Sequence, residues 1–289
     1  MSGFEGLRVL ALESRRAPEL AKLISSYGGQ PVVAPAMREV PLDSNSEALQ
    51  FVGRLLAGEF DIVVFLTGVG CRAILEVAET KYGRDDYLAA LRRVKIVPRG
   101  PKPVAVLREL SVTPTLTVPE PNTWRELLQT LDQAANSSPE FRLQGARIAL
   151  QEYGVSNPEL IETLTERGAQ VTRVPVYRWA LPEDLGPLQS AIRELASKKV
   201  DAVLFTTGIQ VGHLFQVAAE MKLEEAMRRG LRRAIVASIG PTTTEELQRK
   251  GISPDLEPPH PKMGFLVKEA SDRAAELLRA KRQGSASSA

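Results

Sequence analysis

The chain has 289 residues, 43% hydrophobic and 25% charged, the composition of an ordinary soluble globular protein. Lys and Arg number 37 against 35 Asp and Glu, so a net charge of +2 argues against nucleic acid, and attraction to any anionic ligand has to be local. The single cysteine, Cys71, excludes an internal disulfide framework and a multi-cysteine metal site, and it fits a reducing cytoplasm.

Along the chain, MSGFEGLRVLALESRR has a short apolar run without a cationic lead-in, so LRVLAL reads as a first strand rather than a signal peptide. A helix through PELAKLISSYG and a strand in PVVAP follow. A helix through EALQFVGRLLAG leads to the strand DIVVFL and a helix from Val69 to about Lys81. After a polar loop come strand VKIV, a helix in PVAVLREL, a short strand at TLTV, and a helix through TWRELLQTLDQAA. From ARIALQ the second half repeats this order, ending in the helix MGFLVKEASDRAAELLRA and a frayed polar tail over 282–289. No apolar run is long enough to span a bilayer.

The repetition is explicit. DIVVFLTG (61–68) returns as DAVLFTTG (201–208), an offset of 140 residues. Pro18-Glu19-Leu20, Pro35, Gly100-Pro101 and Pro121 recur at that spacing, and Arg8-Val9 aligns with Arg147-Ile148 after a slip of one residue. A constant offset across separated motifs indicates duplication. Val-, Ile- and Leu-rich strands alternating with helices predict two similar doubly wound α/β lobes, each a parallel sheet covered on both faces. The stretches 33–41 and 173–182 each carry two prolines at equivalent places and read as paired connectors. Residues 1–35 with 180–289 then form one discontinuous domain, and 40–172 the other.

Ligands of open parallel sheets bind beyond the carboxyl ends of the strands, where loops enter helix N-termini. There Thr67-Gly68 and Thr206-Thr207-Gly208 offer hydroxyls and backbone N–H groups to a carboxylate or phosphate, with plain helix capping as the alternative. In IVASIGPTTTEELQRKG, Gly240 ends a strand, Pro241 opens a helix, Thr242 and Thr243 surround its start, and Glu245 and Glu246 match its dipole. Neither a phosphate loop nor GxGxxG is present. Arg15, Arg16, Arg99, Lys102 and Lys262 fall at strand-to-helix junctions and together suggest a cationic rim. His213 and His260 are too far apart in sequence to read as a metal pair, and Cys71 reads as a small buried residue. Tyr177, between two prolines in a connector, is a phenol able to donate a proton or hydrogen bond near neutral pH.

VPVYRW, VLFTTG, VASIGPTTTEELQRKGI and PPHPKMGFLVKEA resemble the uroporphyrinogen-III synthase family, and weaker matches in DIVVFLTG and VPRGPKPVAVLREL extend the likeness over nearly the whole chain. The resemblance implies two α/β lobes with a two-stranded connector. It also implies dehydrating cyclisation of hydroxymethylbilane to uroporphyrinogen III with inversion of ring D, without metal or organic cofactor. The ligand would be a polycarboxylate linear tetrapyrrole, with no nucleic-acid or membrane partner, and the protein a cytoplasmic monomer. By the same resemblance Tyr177 assists departure of hydroxide. Thr67, Gly68, Gly100, Lys102, Thr206, Thr207, Gly208, Gly240, Thr242, Thr243 and Lys262 are expected around the substrate. Leu66, Gly68 and the Pro101-Lys102-Pro103 run depart from the family pattern, which keeps a second reading: a catalytically silent member that senses an anionic small molecule.

Overall fold

In the computed structural model, the residues described are 3–42, 45–152, 154 and 156–286. The chain begins with β1 (Arg8–Ala11), α1 (Ala17–Ser26), β2 (Gln30–Val33) and β3 (Arg38–Pro41). Next come α2 (Ser46–Leu56), β4 (Ile62–Phe65), α3 (Gly68–Glu79), α4 (Arg84–Leu91), β5 (Lys95–Pro98), α5 (Pro101–Glu109) and α6 (Trp124–Ser137). A short 3-10 turn (Pro139–Phe141) precedes β6 (Arg147–Gln151), α7 (Pro158–Glu166), β7 (Gln170–Val174) and β8 (Tyr177–Ala180). The chain ends with α8 (Gly186–Ala196), β9 (Ala202–Phe205), α9 (Gly208–Glu220), α10 (Glu224–Arg233), β10 (Ile235–Ser238), α11 (Pro241–Arg249) and α12 (Met263–Ala286).

Two compact units result: residues 1–38 with 180–289, and residues 39–179. The first holds a four-stranded sheet in the order β10-β9-β1-β2, and the second one in the order β5-β4-β6-β7. The pairings within both are parallel. β3 and β8, where the chain passes from one unit to the other, pair as a two-stranded sheet. The duplication holds element by element. Ile62 and Ala202, Lys95 and Ile235, Pro101 and Pro241, and Ser46 and Gly186 each open corresponding elements 140 residues apart.

Period-2 side chains divide each core into two layers. In β4, Val63 and Phe65 pack with Phe51, Ile74 and Leu88 from the α2–α4 side. Ile62 and Val64 face Leu127, Leu131 and Leu160 of α6 and α7. In β9, Val203 and Phe205 meet Leu188, Leu214 and Met227 from α8–α10, whereas Ala202 and Leu204 meet Leu20, Leu266 and Ala270 of α1 and α12.

The polar loop expected after Lys81 contains a helix, α4, and its counterpart in the other unit is α10. Both carry acidic pairs in the first turn, Asp85 and Asp86, and Glu224 and Glu225, which suit the helix dipole; α4 buries Tyr87, Leu88, Ala90 and Leu91, and α10 buries Met227, Gly230 and Leu231. The strand expected at TLTV does not form. Thr115 attaches to the edge strand β5 through one bracket, its N–H donating to Ile96 O at 2.8 Å and its hydroxyl accepting from Ile96 N at 2.9 Å. Prolines 114, 119 and 121 withhold the donors a ladder needs. The connector expected from residue 173 belongs to the second unit as far as Trp179, because β7 pairs with β6 and Val174, Val176 and Tyr177 join its core. α12 continues through the expected tail to Ala286, and 287–289 lie outside the described residues.

Candidate functional site

Each central strand ends facing a helix start, and the first backbone N–H groups beyond the strand need acceptors. In the second unit Gln151, at the end of β6, supplies one: its Oε1 accepts from Leu66 N at 3.1 Å and Thr67 N at 3.0 Å. In the first unit the acceptor comes from the helix instead, Gln210 Oε1 taking Thr206 N at 2.8 Å. Aligning the repeats shows the exchange. Gly70 corresponds to Gln210 and Leu12 to Gln151, so each unit places one glutamine in the same corner from opposite sides. Gly70 is required by this choice, since a Cβ there would lie 2.1 Å from the Gln151 carboxamide. The Leu66, Thr67 and Thr206 N–H groups at these strand ends are therefore already engaged within the chain.

The hydroxyls differ as well. Thr67 caps α3, accepting from Gly70 N at 3.0 Å, and lies 3.2 Å from the Tyr177 hydroxyl. Thr207 occupies the same position before α9 but makes no side-chain capping bond. Thr206 donates to Glu13 Oε2 at 2.6 Å and accepts from Gln210 Nε2 at 2.8 Å. Gln151, Gln210 and Glu13 escaped the sequence reading. The signal available was the mismatch of TGVG with TGIQ inside an otherwise matching repeat.

The second pair of helix starts is tighter than the sequence suggests. Gly100 has φ 135°, open to glycine alone, and a Cβ would meet Asn122 Oδ1 at 3.0 Å. Gly240, with extended backbone, packs on Pro261. Gly68 and Gly208 let α3 and α5, and α9 and α11, approach: a Cβ would lie 2.9 Å from Lys102 O at the first and 3.3 Å from Glu246 Cβ at the second. Lys102, Thr242 and Lys262 are exposed. Thr243 is 1% exposed, so its side chain is set into the core. Glu245 and Glu246 fall in the second turn of α11, whose first turn carries no acid. Pro103, at the place of Thr243, is buried and brings no N–H donor to the start of α5.

Tyr177 opens β8 and is 4% exposed. Its ring meets Trp179 edge-on, with centroids 5.4 Å apart. With Val176 it lines a cavity of about 510 Å³ that runs along one face of α3, past Val69, Arg72, Ala73 and Glu76. Arg72 is held by Glu109 at 2.5 Å. Behind the phenol's partner Thr67, the Gln151 Nε2 donates to Glu152 O. The Glu152 carboxylate, itself 5% exposed, takes two bonds from Arg173 at 2.7 and 3.1 Å. That pairing raises the Arg173 guanidinium above its ordinary value.

Cys71 and His213 occupy structural positions. Burial pushes the Cys71 thiol up to about 12, the opposite of activation. His213 Nδ1 bonds Ala36 O at 2.7 Å, and His260 stacks edge-on against Phe265. Arg16 pairs with Glu19, Arg15 is exposed and Arg99 half-buried. Among the described residues there is no cluster of His, Cys, Asp and Glu fit for a metal ion, and no helix is long and apolar enough to cross a membrane.

Residues 18–268 match the family model described as uroporphyrinogen-III synthase HemD. The Bacillus subtilis "Uncharacterized protein YjjA" is 32% identical over 268 residues, 92% of this chain and 96% of its own. The Methanothermobacter thermautotrophicus "Putative uroporphyrinogen-III synthase" is 31% identical over 240 residues, 82% of this chain and 87% of its own. Among solved structures, a mutant uroporphyrinogen III synthase from Thermus thermophilus superposes with a TM-score of 0.71 at 25% identity, covering 94% of this chain and 100% of that one. A family match that runs through both units, with a solved synthase of the same two-lobed fold beside it, shows that this chain belongs to the uroporphyrinogen-III synthase family.

Proposed function

We propose that this protein is a cofactor-independent lyase that closes hydroxymethylbilane to uroporphyrinogen III, acting as a cytoplasmic monomer in tetrapyrrole synthesis. The observation that carries the reading is the Tyr177 phenol, held 3.2 Å from the Thr67 hydroxyl on the wall of a cavity of about 510 Å³ in a member of that family. Tyr177 gives its proton to the departing hydroxyl, water leaves, and the protonated azafulvene that remains is attacked by ring D. The protein's other task is to hold the flexible chain in the geometry of inverted closure, an orientation effect. Thr207 and Thr242 with Lys102 and Lys262 are the side chains proposed to meet substrate carboxylates, while Thr206, its hydroxyl proton given to Glu13, would shape the strand end beside them. Gly68, Gly100, Gly208 and Gly240 would let backbone approach them, and Thr243, buried and with its N–H on Gly240 O at 3.0 Å, would hold the start of α11 in place.

Purified protein given freshly generated hydroxymethylbilane is expected to yield the type III isomer, and Tyr177→Phe to slow turnover about 100-fold with the fold unchanged. Type I product alone would reject the cyclase reading. It would favour the silent anion-sensing member, for which the engaged strand-end donors at Leu66 and Thr67 and the missing N–H of Pro103 are the specific support.

A further inference from the structure

We infer that Thr67 stabilises Tyr177 as the phenol gives up its proton, and that Gln151 is the positioning residue that sets Thr67 for this task. The inference rests on the reading of Tyr177 as proton donor. When the substrate's C–O bond breaks, its electron pair stays on oxygen and the phenol proton completes water. The phenolate left behind then accepts a hydrogen bond from the Thr67 hydroxyl, and a proton released at ring closure restores the phenol.

Three contacts fix the Thr67 hydroxyl. Gly70 N donates to it at 3.0 Å, Tyr177 Oη lies 3.2 Å away, and Gln151 holds the adjoining backbone through Thr67 N at 3.0 Å. Gln151 is 1% exposed and can sit there only because residue 70 has no Cβ. The other unit shows what the alternative does. With glutamine on the helix, Gln210 N donates to Thr207 O and the Thr207 hydroxyl makes no cap. Met37, not a phenol, stands 140 residues before Tyr177 in that unit. The copy that takes its carboxamide from the strand is thus the copy in which a capped hydroxyl meets a phenol.

The ionisable groups sharing the cavity with Tyr177 are Glu39, Arg72 and Glu76; Cys71 and Tyr87 share its core layer and Tyr82 packs against it. All remain in the variants below, so differences cancel them. With 3,5-difluorotyrosine in place of tyrosine, ionisation at 177 is followed by its 19F resonance, assigned by loss in Tyr177→Phe. Thr67→Val is expected to raise the midpoint by about one pH unit, and Thr67→Ser to leave it. Gln151→Leu should raise it too. Gln151→Leu with Gly70→Gln copies the other unit; it should restore melting temperature yet keep the raised midpoint and a turnover about 10-fold down at unchanged KM. An unchanged midpoint in Thr67→Val, or full return to wild-type midpoint and turnover in the double variant, overturns the proposal. The titration reads Thr67 and Tyr177 whichever isomer forms, so failure of the cyclase reading would appear in the product assay alone.

Discussion

A buried carboxamide at the end of a strand costs side-chain entropy and needs its own donors and acceptors met, so its presence at equivalent corners of both units marks a fixed demand. The demand is the pair of N–H groups released where strand becomes helix; Gln151 meets both in one unit and Gln210 one in the other. Cys71 illustrates the opposite case, a polarisable residue placed for its size. It opens the second turn of α3, 2% exposed within the core layer, and desolvation carries its thiol to about 12 despite the helix start. Between the ordinary thiol value of about 8.5 and that figure the unfolded chain releases a proton the folded chain keeps. Stability from this group is therefore complete below about pH 8.5 and falls as pH rises toward 12. Denaturant midpoints measured from pH 8 to 10 should decline less steeply in Cys71→Ala than in the natural chain. Equal slopes would show that Cys71 is solvated in the folded protein.

Two glycines at corresponding helix starts should respond differently to the same methyl group. Alanine at 208 would place its Cβ 3.3 Å from Glu246 Cβ, a contact that a few tenths of an ångström of movement relieves, and gains helix propensity, so Gly208→Ala is expected within about 0.5 kcal/mol of neutral. Alanine at 68 meets the Lys102 carbonyl oxygen at 2.9 Å, which only a shift of α5 relieves, so Gly68→Ala should cost about 1–3 kcal/mol in urea unfolding. Equal costs would mean that α5 yields as readily as α11. The helices and strands around these glycines were legible because period and punctuation agree: IVVF and AVLF are apolar throughout, and Pro101 and Pro241 open α5 and α11. α4 and α10 were not, since the charged residues of RDDYLAAL and EEAMRRGLRR mask short buried stripes, Tyr87, Leu88 and Leu91 in one and Met227 and Leu231 in the other, which contacts with α2 and α8 hold in place. TLTV has strand composition, but its neighbouring prolines cannot donate. At the site, Tyr177 and Thr67 were legible by type and position. Their mutual contact was not, because 110 residues separate them and only the pairing of β6 with β4 and β7 brings the two strand ends together.

The duplication also fixes how the chain can be divided. The second unit is one continuous segment, 39–179, and its two core layers draw on residues of that segment alone. The first unit is built from both ends: β1 lies between β9 and β2, and Phe4, Val9, Leu20 and Ile24 complete the layer under α12. Cutting at the crossings therefore has unequal consequences. A protein of residues 39–179 retains a four-stranded parallel sheet with helices on both faces, within the usual size of an independent domain. It should unfold cooperatively in urea with about 5 kcal/mol or more of stability. Residues 180–289 alone keep only the β9–β10 pair, below the three strands that stand unaided, and should show no cooperative transition. Adding a peptide of residues 1–38 supplies β1, α1 and β2 and should restore the transition in proportion to its concentration. Dispersed amide resonances from 180–289 without the peptide, or their absence from 39–179, would show that the core layers do not set the folding units.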